Sequence, residues 1–313
     1  MAVDLLCMGE PMFEFSQLPP DPGLRREDGR RLYLEGHGGD TSNAAIAAAR
    51  QGASVGYIGA VGRDPAGDSF MRVWAEEGVD TSTVICSPDR PTGVYIIMHT
   101  PRGHEFLYYR TNSAASCYGP RDVPEDAIAK ARILFASGIS QGISPTAADA
   151  VFHAIDIARR HGVKVAYDTN FRPRLWPAAR AAAVIHAAIG KADIVFPGID
   201  DVLALTGLSD IDAILDFYLG LGPEIVVLKM GADGAYLGLP DRRVLIPPSP
   251  CTPVDSTGAG DTFCGSFLAR LLADDAPEDA ARYAAVAAAL STVGYGAVAP
   301  IPRAETVLAV LAS

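Results

Sequence analysis

Short apolar runs and long alanine-rich stretches of helical period alternate along this chain. That alternation constrains the fold more than any other feature of the sequence. The apolar runs are "VDLLCMG", "SVGYIGAVG", "RILFASG", "VKVAYDTN", "ADIVFPG" and "EIVVLKMG". Between them lie "SNAAIAAARQG", ending at Gly52, then "TAADAVFHAIDIARRHG" and "AARAAAVIHAAIGK". A strand exposed on one face alternates apolar and polar residues, but these runs are apolar throughout. They predict a mostly parallel central sheet covered by helices on both faces, an α/β protein.

Two regions interrupt the pattern. Residues 11–36 are rich in Pro, Gly and Arg, with short strand-like pieces, and residues 91–110, "PTGVYIIMHTPRGHEFLYYR", read as a hairpin turning at "TPRG". Neither has a helical period. They predict a small β-sheet projecting from the main body as a lid, with an ordinary surface hairpin as the alternative. The length of 313 residues admits one large or two ordinary domains, and the continuous alternation favours one, residues 1–313, carrying the lid segments.

Composition narrows the partners. Hydrophobic residues make up 49% and charged residues 20%, which is material for a large globular core. A net charge of −11 argues against nucleic acid or an anionic membrane as partner, while a local site can still bind a small anion. The five cysteines are odd in number and none has C-x-x-C spacing, so they are expected to be reduced thiols in a cytoplasmic protein. "VDLLCMG" is too short for a signal h-region and carries Asp4, and no apolar run reaches membrane-spanning length.

Three glycine-rich stretches carry candidate chemistry. In "DSTGAGDTF", Gly258 and Gly260 permit a tight turn, and a helix is predicted from about Asp261. Unpaired N–H groups and the positive end of the helix dipole then make an anion site suited to phosphate. A carboxylate beside an incoming anion suggests a general base, Asp261, with an N-cap as the alternative. In "GHGGDTSN", Gly38 and Gly39 allow close approach of a ligand, and Asp40 and Asn43 add polar groups at a helix start, where Asp40 or Ser42 is alternatively an N-cap. In "KMGADGAYL", Lys229, Gly231 and Gly234 follow a strong strand, the usual place for a nucleotide phosphate, or equally a hairpin turn. A Walker A pattern and a G-x-G-x-x-G opening the first helix are both missing, which disfavours P-loop enzymes and NAD-binding dehydrogenases.

Together, "GGDTSN" with the helical "AAIAAARQG" and "DSTGAGDTFCGSFL" resemble the two signatures of the ribokinase-like (PfkB) carbohydrate kinases, over essentially the whole chain. The resemblance implies a three-layer α/β/α ribokinase-like fold with a β-lid, and transfer of the ATP γ-phosphoryl group to a sugar hydroxyl. By it Asp261 is the base, and Gly258, Ala259 and Gly260 form the anion hole. It places Gly38, Gly39, Asp40, Asn43 and Tyr95 at the sugar. Asn170, Arg172, Lys229, Gly231, Asp233 and Gly234 fall near the nucleotide. Many members carry Asn-x-x-Glu near the phosphates and Mg²⁺; here the stretch is "GIDD", with Gly198 and Asp201, and the acid-sugar branch also tends toward acidic residues there. Asp255 and Thr257 match positions that bind a monovalent cation such as K⁺ in some members, and "STVGYGAVAP" offers backbone carbonyls to it.

Three further stretches are similar to the 2-keto-3-deoxygluconate kinases of that family: "GEPMFEF" with Glu14, "EFLYYRTNSAAS" with Tyr108, Tyr109 and Arg110, and "DTNFRPRLW" with Asn170 and Arg172. Arginine binds a carboxylate through two parallel charge-assisted bonds and finds no such partner on a neutral hexose. The resemblance therefore implies an ATP- and Mg²⁺-dependent kinase of that sugar acid, acting at its terminal hydroxyl, with Arg110, Arg172, Tyr95 and Tyr109 at the substrate. Fructokinase and 5-keto-2-deoxygluconate kinase are the rivals within the family, and a non-turnover sugar-binding regulator is the rival outside it. Exposed lid edges suggest a homo-oligomer formed through the lid.

Overall fold

The computed structural model describes residues 3–18, 31–100 and 103–312. The chain runs through β1 (Leu5–Met8), β2 (Met12–Gln17) and β3 (Tyr33–Gly38) into α1 (Asp40–Arg50). Next come β4 (Val55–Gly62), α2 (Pro65–Glu76) and β5 (Val84–Ser87), then the hairpin β6 (Gly93–Thr100) and β7 (Gly103–Tyr109). A short α3 (Glu125–Ile128) precedes β8 (Ile133–Ser137), α4 (Gly138–Gly142) and α5 (Pro145–Arg160). Strands and helices then alternate: β9 (Lys164–Asp168), α6 (Ala178–Ile189), β10 (Ile194–Phe196), α7 (Ile199–Thr206), α8 (Ile211–Gly220) and β11 (Ile225–Lys229). The pair β12 (Ala235–Gly238) and β13 (Arg243–Ile246) leads to α9 (Ala259–Leu272), α10 (Pro277–Ser291) and α11 (Ala304–Leu311).

The main sheet has nine strands in the order β13-β12-β11-β10-β9-β8-β1-β4-β5. From β5 across to β11 every pairing is parallel, and β12 is antiparallel to both of its neighbours. Continuous apolarity follows from cover on both faces: all eight residues of β4 and all five of β8 are buried. One face packs on α1, α2, α9 and α10 through residues such as Ala44, Trp74, Phe267 and Ala284. The other packs on α5, α6, α7 and α8 through Ile155, Ile185, Val202 and Leu215. Small residues bring α1 and α9 close together: a Cβ at Gly265 would strike the Ala44 carbonyl. All five cysteines are free.

The interrupting segments form a separate four-stranded sheet, β3-β2-β6-β7. Here β2 pairs antiparallel with β3 and parallel with β6, and β6 pairs antiparallel with β7. Residues 19–30 and the turn residues 101–102, parts of the two predicted lid segments, lie outside the described residues. The chain leaves β1 in opposite directions, toward β4 and β5 on one side and from β8 to β11 on the other. Open α/β sheets bind ligands beyond the carboxyl ends of the strands at such a switch point. Here β2 springs from the carboxyl end of β1, so the small sheet stands over that crevice.

One boundary differs from expectation. α9 begins at Ala259, two residues before Asp261, because Gly258 takes a left-handed turn (φ 76°) and serves as the N-cap. "GADG" forms the hairpin turn its sequence allowed: a 3₁₀ turn, Gly231–Asp233, follows the strand end at Lys229 and reverses β11 into β12.

Candidate active site

Between the two sheets lies a cavity of about 1330 Å³. Asp168 and Asn170 at the end of β9, Lys229 at the end of β11, and the first turns of α1 and α9 line its floor. Met12, Tyr95, Phe106, Tyr108 and Arg110 line the lid side, and Arg172 and Arg174 flank it.

The tight α1–α9 packing makes the two N-termini converge. Asn43 Nδ2 donates to Asp261 Oδ2 at 2.8 Å, and Asn170 Nδ2 donates to Asp40 Oδ2 at 3.0 Å. Neither aspartate caps its helix, since Gly39 and Gly258 hold the N-cap positions. Asp40 Oδ1 and Asn43 Oδ1 are buried without a partner, and both residues line the cavity. Burial, and then the charge of Asp40, push the pKa of Asp261 up to about 7, and burial also raises that of Asp40. The amides of Gly260 and Asp261 fall in the first helical turn, where no carbonyl of the helix reaches them. A carboxylate poised near neutrality beside open amides is equipped to take a hydroxyl proton next to a bound anion.

On the lid, Tyr95, Phe106 and Tyr108 share one face and stack, with ring centroids 6.0–6.5 Å apart. The Arg110 guanidinium stands 5.6 Å from the Tyr108 centroid, and it is paired with Glu10. Glu10 is fully buried just after β1 and also accepts from Ser113 Oγ at 3.1 Å. Burial pushes the Glu10 carboxyl up, opposed by the Arg110 charge. Glu14, on the same face of the small sheet as Met12 and Tyr95, lies off the cavity wall and accepts from the Tyr95 hydroxyl; burial raises its pKa to about 6.

Not every predicted residue reaches the cavity. Tyr109 is 64% exposed and points from the opposite face of β7, as strand alternation requires once Tyr108 faces inward. Tyr108 therefore takes the place expected of Tyr109. Gly38 sits under the Tyr95 ring, and its Cβ would meet that hydroxyl. Ala259, Gly231, Asp233 and Gly234 lie off the cavity wall, while Gly39 and Gly260 are on it. Asp201, in the first turn of α7, accepts from Thr169 Oγ1 at 2.8 Å, and burial raises its pKa. Asp255 joins two loops, accepting from Thr257 N at 2.9 Å and from Gly296 N at 3.0 Å. Among the described residues no group of three or more His, Cys, Asp or Glu side chains is arranged to hold a metal ion.

Four residues that sequence reasoning passed over also sit here. They are Glu10, Asp168, Arg174 and Cys264, the last two reaching Phe106 O at 2.6 Å and Asp168 Oδ2 at 3.4 Å respectively. A signal was present for the two acids, each placed where a core strand of the parallel sheet ends.

Residues 5–304 match the pfkB family of carbohydrate kinases. The chain is 33% identical to a 2-dehydro-3-deoxygluconokinase of Thermoproteus tenax, over 99% of this chain and 95% of that protein. It is 32% identical to one of Bacillus subtilis (strain 168), over 90% and 88%. A crystal structure of a double-mutant fructokinase from Vibrio cholerae O395, with fructose, ADP and potassium ion bound, superposes with a TM-score of 0.87 at 26% identity, covering 99% and 98% of the two chains. Glycine loop, aspartate and two-sheet cleft thus occur together in a chain that matches one family from end to end: it belongs to the PfkB carbohydrate kinases.

Proposed function

We propose that the protein transfers the γ-phosphoryl group of ATP to the terminal hydroxyl of 2-keto-3-deoxygluconate. The observation that carries this reading is one cavity with Asp261 at the open amides of α9 and arginines at its other side. Asp261 takes the hydroxyl proton. Gly258, Ala259 and Gly260 shape the turn whose amides receive the phosphoryl group. Gly39, Asp40, Asn43, Tyr95 and Tyr108 orient the sugar, and Gly38 lets Tyr95 close over it. Arg110 and Arg172 bind the carboxylate, and Asn170 and the strand end at Lys229 serve the nucleotide side. The names of the curated relatives support this choice of sugar acid over fructose.

Mg²⁺ keeps much of its water and is held mainly by phosphates with one or two carboxylates. Asp201 would hold its water shell, and the bound ion would neutralise phosphate charge. Asp255, Thr257 and the 291–300 loop would hold a monovalent cation such as K⁺. No helix among the described residues is long and apolar enough to cross a membrane, consistent with a cytoplasmic enzyme. The lid strands carry exposed Tyr33, Leu34, Leu107 and Tyr109, which a second copy of the chain would cover.

The test is kcat/KM on a sugar panel, read by ADP production, for the wild type, Arg110→Ala and Arg172→Ala. A charged hydrogen bond to a carboxylate contributes ~1.5–3 kcal/mol, so the acid sugar should lose roughly ten- to a hundredfold at each site. Fructose, a poor substrate at the outset, should lose much less at Arg110. A wild type that prefers fructose points to fructokinase, one that prefers 5-keto-2-deoxygluconate points to that kinase, and sugar binding without ADP release points to a regulator.

A further inference from the structure

Lys229 and Asp168 end two strands, β11 and β9, that flank β10 in the sheet, and both side chains line the cavity floor. Asp168 is 2% exposed and Lys229 17%. Lys229 Nζ donates to Asp168 Oδ2 at 2.6 Å and lies 3.6 Å from Cys264 Sγ, which itself donates to Asp168 Oδ2 at 3.4 Å. An ammonium has three donors, and this triangle engages two. On its cavity side is the first turn of α9: a Cβ at Gly260 would stand 3.5 Å from Nζ. The cation therefore lies against the turn assigned above to the phosphoryl group.

A simple strap between β9 and β11 is a weak explanation. A buried ion pair roughly breaks even against an apolar pair of the same shape, so stability alone gives little reason to keep it. It also gives none to aim the ammonium at open amides. Burial alone would push the Lys229 pKa down, but the Asp168 carboxylate reverses this and raises it, so the group stays charged.

We propose that Lys229 is a catalytic residue, donating a hydrogen bond to the phosphoryl group as it passes the α9 N-terminus, and that Asp168 is the positioning residue that holds it there. This rests on the kinase reading. In the step, the bond between the γ-phosphorus and the β–γ bridging oxygen breaks, and ADP leaves with its electron pair. A bond forms from the sugar hydroxyl oxygen to phosphorus, and the hydroxyl proton passes to Asp261. Lys229 keeps its proton and meets the charge spread over the moving oxygens.

The experiment measures kcat and KM with ATP and 2-keto-3-deoxygluconate, ADP affinity by calorimetry, and binding of ADP with fluoroaluminate as a transition-state mimic. Lys229→Met should lower kcat by roughly 10²-fold or more, the scale for losing one transition-state donor. It should abolish tight fluoroaluminate binding and weaken ADP itself less than about tenfold. Lys229→Arg should recover part of kcat, and Asp168→Asn should lower kcat with little change in sugar KM. The double variant Asp168→Asn/Lys229→Met leaves no unpaired buried charge, so it supplies a folded comparison should Lys229→Met be unstable; it should be as inactive. Near-normal kcat in either Met variant overturns the proposal, as does a loss of ADP affinity equal to the loss of kcat/KM, which would make Lys229 a ground-state nucleotide contact. A wild type that turns over no sugar overturns the kinase reading and this proposal together, whereas an active wild type beside an active Lys229→Met overturns this proposal alone.

Discussion

As the proposed base, Asp261 would draw its usefulness from a site that resists the charge it must carry. With a pKa near 7, raised first by burial and then by Asp40, it is a carboxylate above neutrality and an acid below. kcat/KM should therefore fall as pH drops through about 7, approaching tenfold per unit. Asp261→Asn should flatten that limb and cost ~10²-fold or more in kcat, with sugar binding weakened far less. The same shift bears on stability. The unfolded carboxyl titrates near ~3.9, so between there and about 7 the folded state holds a proton that the unfolded state has lost. The stability this group contributes is full below ~4 and gone once pH rises through about 7. Asp261→Asn should thus raise Tm at pH 8 and change it little at pH 4; equal changes at both would mean that the carboxyl is not perturbed. The place of Asp261 in the site was legible because glycines and an aspartate at a helix start have a local physical meaning. Asp40 and Asn43 were legible as site candidates, but not their meeting with Asp261, which comes only through the packing of α1 on α9. Glu10 stayed hidden for the same reason: its partner Arg110 lies on another sheet.

At the scale of elements, α9 separates two jobs that its glycines share. A side chain at Gly260 would meet only Lys229 Nζ at an ordinary 3.5 Å, whereas one at Gly258 would crowd Ala297 at 3.0–3.2 Å from a left-handed backbone. Gly260→Val should therefore leave Tm close to wild type, since valine is no poorer a helix former than glycine, while removing most turnover. Gly258→Val should lower Tm itself. Melting curves and ADP release on the two variants check this, and an active Gly260→Val would remove the phosphate from that turn. Legibility at this scale followed burial as well as length. Strands buried on both faces read as apolar runs even where, as in β1 and β10, they are short, and the longest helices were plain because a dozen or more residues fix a period. The hairpin of β12 with the partly exposed edge strand β13 gives no such run, and the exact start of α9 depends on one dihedral angle.

Across the whole molecule, the cavity exists only where the two sheets face each other. Arg174, from the loop after β9, bonds the Phe106 carbonyl at 2.6 Å, and Arg110 with Glu10 ties the end of β7 to the end of β1. Sugar bound between those ties should draw the sheets together and exclude water, which strengthens the electrostatics of transfer. Hydrogen exchange in β2, β6 and β7 should slow under saturating sugar; equal rates with and without it would exclude closure. The pairing of β2 with β6, from Met12↔Gly93 to Ser16↔Ile97, has little apolar burial of its own to reward it. Its cluster of buried residues is Met12, Tyr95 and Ile97, against the two large clusters on the faces of the main sheet, so the pairing is expected to follow the main core. The helical layers should condense while the small sheet is still unpaired. After dilution from denaturant, the helical circular-dichroism signal should return ahead of sugar phosphorylation, with a lag that shortens if β2 and β6 are cross-linked. The sheet expected to close over the substrate would then be the last to fold, and a refolding chain would hold a finished core before it holds a pocket.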